Sequence, residues 1–287
     1  MIKNSLKTAF LLATLSGLLF FLGSFLGGAS GALIALVFSL IMNFGIYFYS
    51  DRIVLGMYGA QPLDVQQYPM VYATVKELAA VMKMPVPKLW LVSLPVPNAF
   101  ATGRSPAYAS IAFTREIITL LDHKELRGVI AHELSHIKNR DILIGTVAAT
   151  VATAIGYIVQ MIQHRLFWSS FSRKKEEKES FIGTLLIALF MPLASMLLQL
   201  AITRSREYHA DETGAHACKD PLALASALEK IYASQSAHKS NEYMAAQPRA
   251  SLFIASLFAT HPPVHKRIAQ LQKISDNLSK NRGKHYE

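Results

Sequence analysis

Polar and apolar positions divide this chain into long blocks. From Thr8 to Ser50 no side chain is charged, and only the small-residue segment "GGASGA", Gly27 to Ala32, interrupts the run. A bilayer core about 30 Å thick is crossed by about 20 apolar helical residues, so each half is long enough and the pair reads as a helical hairpin. Two further uncharged stretches follow, Ile142 to Gln163 and Phe181 to Thr203, the latter with Pro192 inside. Neither shows the polar face of a soluble amphipathic helix, and they read as a second hydrophobic hairpin. The blocks are therefore 1–50, 51–141, 142–203 and 204–287. Neither polar block is a complete domain by itself, so the two are expected to fold together.

Within the first polar block the periodicity changes twice. "YPMVYATVKELAAVMKM" places Val71, Val75, Leu78, Ala79 and Met82 on one helical face, ended by Pro85 and Pro87. Three short β-prone runs follow, "KLWLV" (88–92), "NAFATG" (98–103) and "ASIAFT" (109–114), separated by Pro95, Pro97, Gly103 and Pro106. They predict a small antiparallel sheet. A second helix starts near Asp122, whose carboxylate can cap the first turn while Glu125 reaches back as a capping box. Its apolar face is Leu126, Val129, Ile130, Leu134 and Ile137.

Composition agrees with a membrane protein: 52% of residues are hydrophobic and 17% charged. Lys3 and Lys7 before the apolar run also suit a cleavable signal peptide, but the run exceeds a signal core and a second span follows at once. Lys3, Lys7 and Arg52 flank the first hairpin, and Arg204 and Arg206 follow the last apolar segment. The positive-inside bias then places these ends in the cytoplasm. The basic loop at 164–180 runs against that orientation: either the first hairpin dominates topology, or the second pair dips into the membrane without crossing. The net charge of +10 comes with no zinc-finger spacing or aromatic-basic signature, so nucleic acid is not an expected partner. Attraction to anionic lipid headgroups accounts for it. The single cysteine, Cys218, excludes an intramolecular disulfide and reads as a small buried hydrophobe.

The chemistry begins at "AHELSH", 131–136. Residues four apart share a helix face, so His132 and His136 can offer two nitrogens to one cation. Glu133 stands beside that face, where its carboxylate can take a proton from a metal-bound water. A catalytic zinc takes three protein ligands and keeps one position open. The third is sought in "TRSREYHADETGAHA" after the fourth apolar segment, where Glu207 and Asp211 share a face and His209 points elsewhere. Glu207 is the expected ligand and Asp211 the carboxylate that orients a ligating histidine; His209, with His216, is the competing choice. The two ligand-bearing stretches meet only if the intervening hairpin returns the chain to the side it left. A zinc-binding scaffold or transporter without hydrolytic activity is a second reading, though transport calls for ionisable groups within the spans and these have none.

"AHELSHIKNRD", "SREYHAD", "PNAFATG" and "THPPVHKRIAQL", with two leading apolar segments, resemble the HtpX-type membrane zinc metalloproteases, relatives of the type-1 CAAX prenyl proteases. The resemblance covers nearly the whole chain. It implies a mainly α integral membrane protein whose gluzincin-like protease domain carries one Zn2+ and is split into 51–141, with the HExxH helix, and 204–287, with the third ligand. The implied activity is a cytoplasmic-facing endopeptidase of the bacterial inner membrane, acting on membrane proteins in stress-linked quality control. It also implies metal ligation by His132, His136 and Glu207, catalysis by Glu133 and His261, and substrate binding by Asn98, Ala99, Phe100, Ala101 and Arg267.

Overall fold

The computed structural model describes residues 2–143, 147, 204–239 and 263–283. Apart from its first residues, the second apolar hairpin lies outside the described residues, as do its basic loop at 164–180 and His261.

The N-terminal apolar run forms α1, Ile2–Met57, which leaves helical geometry at Gly27 and Gly28. Gly28 has φ +57, a left-handed conformation that glycine adopts without steric cost, and the chain reverses there. The two halves then touch. A Cβ on Gly23 would collide with the carbonyl of Gly31, and Asn43 Nδ2 donates to Ser16 Oγ at 2.8 Å and to the Leu12 carbonyl at 3.3 Å. Small residues that admit a close backbone, joined by a hydrogen-bonding amide, are a pattern of helix association in lipid. Gly27–Tyr49 is long and apolar enough to cross a membrane. The helix continues beyond the apolar run because Val54 and Leu55 are buried, and it ends before Gly59, another glycine with φ +57.

The sheet contains β1 (Gln61–Pro62), β2 (Lys88–Val92), β3 (Ala99–Gly103) and β4 (Ala109–Thr114), in the order β1-β2-β4-β3. The three predicted runs are strands, but the sheet is mixed rather than antiparallel: β2 and β4 run parallel, while β1–β2 and β3–β4 are antiparallel. The cause lies in the connection 93–98. With Pro95 and Pro97 it makes no tight hairpin, so β3 lands one strand beyond β2 and β4 fills the space between. As an inner strand paired on both sides, β4 is buried at all six positions, including the polar Ser110 and Thr114.

The two faces of the sheet do different jobs. Trp90, Val92, Phe100 and Ala112 pack with Leu55 and Tyr58 at the end of α1. Leu89, Ala99, Ala101, Ile111 and Phe113 pack into the main core with the remaining helices. The sheet thus separates the end of the apolar span from the helix carrying the HExxH pattern.

On the core side lie α2 (Pro69–Val81), α3 (Arg115–Leu120), α4 (His123–Lys138), α5 (Arg204–Cys218), α6 (Pro221–Lys239) and α7 (Val264–Gly283). The predicted face of α2 is the buried one. α4 begins with the expected capping box: Asp122 accepts from the Glu125 amide, and the Asp122 amide donates to Glu125 Oε2, both at 2.9 Å. Two glycines on this side set helix separations. A Cβ at Gly128 of α4 would lie 3.0 Å from Leu224 Cα of α6, and one at Gly214 of α5 would lie 3.0 Å from His132 N of α4. Ile130, Leu134 and Ile137 from α4, Leu224 from α6 and Leu271 from α7 are fully buried and close the core.

Candidate metal centre

The capping box fixes where α4 starts and hence which residues its middle presents. His132 and His136 stand one turn apart with ring centroids 4.8 Å apart and ring planes at 89°. Their Nε2 atoms are separated by 3.2 Å. Close approach at Gly214 lets α5 bring Glu207 opposite them, with Oε2 at 3.6 Å from His132 Nε2 and Oε1 at 3.5 Å from His136 Nε2. The three residues offer one ligand atom each, all within 4.8 Å of one another. Separations of this size are close to the edges of a tetrahedron whose centre is about 2.0–2.1 Å from each corner, the bond lengths of zinc to imidazole. Two imidazole nitrogens and a carboxylate oxygen are also the donor set that zinc prefers, so geometry and chemistry both fit the ion the family resemblance implies.

The other ring nitrogens are occupied from behind. His132 Nδ1 lies 2.9 Å from Asp211 Oδ1, and His136 Nδ1 lies 3.6 Å from Asp141 Oδ2. A carboxylate on Nδ1 leaves the Nε2 lone pair facing the cluster. Asp211 is fully buried, and burial opposes its charge. Arg267 outweighs that penalty with two hydrogen bonds and holds the carboxyl below its usual range. Burial likewise opposes a charge on His136, but Asp141, Glu207 and Glu133 overcome it and lift its pKa to about 9. The cluster's carboxylates therefore draw positive charge onto these nitrogens, as a proton or as a metal ion.

The sequence-predicted residues fall into three groups. His132, His136, Glu207 and Asp211 converge as described, and Glu133, itself buried, lies close enough for its charge to act on both His136 and Arg267. His209 is exposed on another side of α5, lining a surface groove with Lys138, Glu212 and His216. Asn98 is tied to β4 through backbone hydrogen bonds to Thr114, and Ala99, Phe100 and Ala101 belong to β3, the last strand in the sheet order. Ala99 and Ala101 face the core that contains α4, whereas Phe100 packs 5.3 Å from the Tyr58 ring on the other face. Arg267 is 5% exposed, and its guanidinium lies against Asp211, His132 and Glu207. Sequence reasoning missed Asp141 and Arg206, whose Nε lies 3.8 Å from Asp141 Oδ1. The signal was Asp141 just past the end of α4, where Arg140 turns the backbone at φ +59.

The model of peptidase family M48 matches residues 66–275. Proteins named protease HtpX homolog are similar along almost the whole chain. The one from Aquifex aeolicus is 45% identical over 273 residues, covering 92% of this chain and 90% of its own. The one from Desulforapulum autotrophicum is 43% identical, covering 97% and 93%, and the one from Thermococcus kodakarensis is 43% identical, covering 95% and 97%. The crystal structure of S. mikatae Ste24p shares the fold with a TM-score of 0.50 at 18% identity. The match covers 94% of this chain and 65% of that one. A family match spanning both ligand-bearing blocks, with relatives alike over nearly their full length, shows that the chain belongs to peptidase family M48 and is a metalloprotease.

Proposed function

We propose that this protein is a zinc-dependent endopeptidase of the bacterial inner membrane, with its catalytic site facing the cytoplasm, which degrades misfolded or damaged membrane proteins under stress. The observation that carries the reading is the convergence of His132, His136 and Glu207, with their ligand atoms within 4.8 Å, on a helix whose next residue after His132 is Glu133. When bound, zinc supplies a Lewis acid and brings the pKa of a coordinated water to about 7. Glu133 takes the proton from the attacking water and passes it to the departing amine. Asp211 and Asp141 hold the two imidazoles in the tautomer that points Nε2 at the ion.

The gluzincin-like division of labour extends to the substrate. An extended polypeptide adds along β3, from Asn98 through Ala101, where backbone hydrogen bonds confer little sequence preference. His261 supplies a hydrogen bond to the developing oxyanion, and Arg267 supports the site from beneath. Orientation follows from Lys3, Lys7 and Arg52 around the first apolar pair, whose two halves span the bilayer as a hairpin.

The test is the full-length protein purified in detergent, with metal content and casein cleavage measured together. Glu133→Ala is expected to bind one metal ion and cleave nothing, and a chelator abolishes cleavage by the parent. Cleavage by Glu133→Ala at the parental rate would overturn the assignment.

A further inference from the structure

The apolar span ends in an aromatic cluster. Phe44 and Phe48 have ring centroids 4.5 Å apart, Tyr47 and Phe48 5.0 Å apart, and the stretch Gly27–Tyr49 closes on Tyr49. These rings are well exposed, Phe44 at 61% and Tyr49 at 48%. Arg52 lies 5.5 Å over the Tyr49 ring. A second cation reaches the same cluster from another part of the chain. Arg104 stands with its guanidinium carbon 4.9 Å from the Phe48 ring and 4.0 Å from the Tyr108 ring.

Arg104 is delivered by the turn joining β3 to β4. Gly103 has φ +133, and a Cβ there would collide with the Tyr108 carbonyl oxygen, so only glycine permits this closure. The 3-10 turn Pro106–Tyr108, with the Tyr108 amide on the Ser105 carbonyl at 2.9 Å, then brings Tyr108 back beside Arg104. Among the described residues neither Arg52 nor Arg104 has a carboxylate partner. Two arginines and several exposed aromatic rings at the end of an apolar span match the bilayer interface, where aromatic rings sit at headgroup level and guanidinium groups meet lipid phosphate.

We propose that this corner, Arg104 and Tyr108 with Phe48, Tyr49 and Arg52, docks on anionic phospholipid headgroups and thereby holds the end of β3 at the membrane surface. The inference rests on the reading that α1 spans the bilayer. Its consequence is directional: β3, whose Ala99 and Ala101 face the core that contains α4, ends at the headgroup layer, so a polypeptide emerging from lipid meets this strand first.

The test uses the full chain in vesicles of phosphatidylcholine with or without phosphatidylglycerol. A Cys218→Ala background carries a single spin label at Ala107→Cys in the turn, with Phe38→Cys as the mid-span reference and Lys273→Cys on α7 as the solvent reference. In anionic vesicles the label at 107 is expected to lose access to a water-soluble relaxant, and adding Arg104→Glu is expected to restore it. A label at 107 as accessible as that at 273, with the label at 38 inside lipid, overturns the docking corner alone. A label at 38 in water overturns the spanning reading as well. A shielded label at 107 that ignores both phosphatidylglycerol and Arg104→Glu also overturns headgroup recognition.

Discussion

Arg267 grips Asp211 with both arms of its guanidinium, Nε to Oδ2 at 2.8 Å and Nη2 to Oδ1 at 2.6 Å, while the same Oδ1 lies 2.9 Å from His132 Nδ1. A helix far along the chain thus fixes a carboxylate on α5, which fixes an imidazole on α4. All three groups are nearly or fully buried, so removing one leaves another's charge without compensation.

Arg267→Met is expected to cost about 3–5 kcal/mol, the usual consequence of breaking a buried pair from one side. Arg267→Lys should recover little, because an ammonium cannot reproduce the two-pronged contact. Thermal unfolding of the purified variants checks both; a lysine variant as stable as the parent would show that the fork geometry is unimportant.

Asp211→Asn keeps the shape and weakens the hold on His132. Metal affinity should fall about 10–100-fold, as when outer carboxylates of histidine ligands are removed. Competition with a chromogenic chelator measures it, and parental affinity would remove Asp211 from the site.

Gly214→Ala and Gly128→Ala place a methyl at equally tight contacts, the first against His132 and the second against Leu224. Both are expected to destabilise the fold by about 1–3 kcal/mol, as overpacking does. Only Gly214→Ala should also weaken metal binding, because only that contact sets the distance from Glu207 to the histidines. Equal metal affinities for the two variants would contradict this division.

The start of α4 carries a pH dependence. Burial opposes the Glu125 charge, but Lys230 at 2.8 Å, Ser226 at 2.6 Å and the Asp122 amide overcome it and keep the pKa below the ordinary value. A carboxyl lowered in the folded state stabilises above its unfolded pKa of about 4.3 and loses that contribution as pH falls through the folded value. Glu125→Gln should therefore melt below the parent by a constant interval at neutral pH, and the interval should narrow progressively as pH falls below about 4. An interval that does not change down to about pH 3 would place the effect in packing rather than charge.

What was readable from residue order alone was local. The capping box of Asp122 and Glu125, the buried face of α2 and the three strands depend on neighbours within a few positions, and the structure has them where the pattern puts them. The i, i+4 geometry likewise places His132 with His136, and Glu207 with Asp211, on single faces. Strand order was not readable, because insertion of β4 between β2 and β3 is decided by how a proline-bearing connection spans the sheet. Nor was the grip of Arg267 on Asp211 or the approach of Arg206 to Asp141. A charged residue beside a motif looks the same whether it meets water, substrate or a carboxylate, and only the packing of distant helices distinguishes these.

The halves of the metal centre lie on either side of residues 142–203: His132, Glu133 and His136 come before, Glu207 and Asp211 after. A polypeptide that has been made only as far as the histidines holds a pair of imidazoles and no answering carboxylate. The candidate site is therefore complete only once the chain beyond residue 203 has packed back against α4, and an ion held there ties the two distant stretches together.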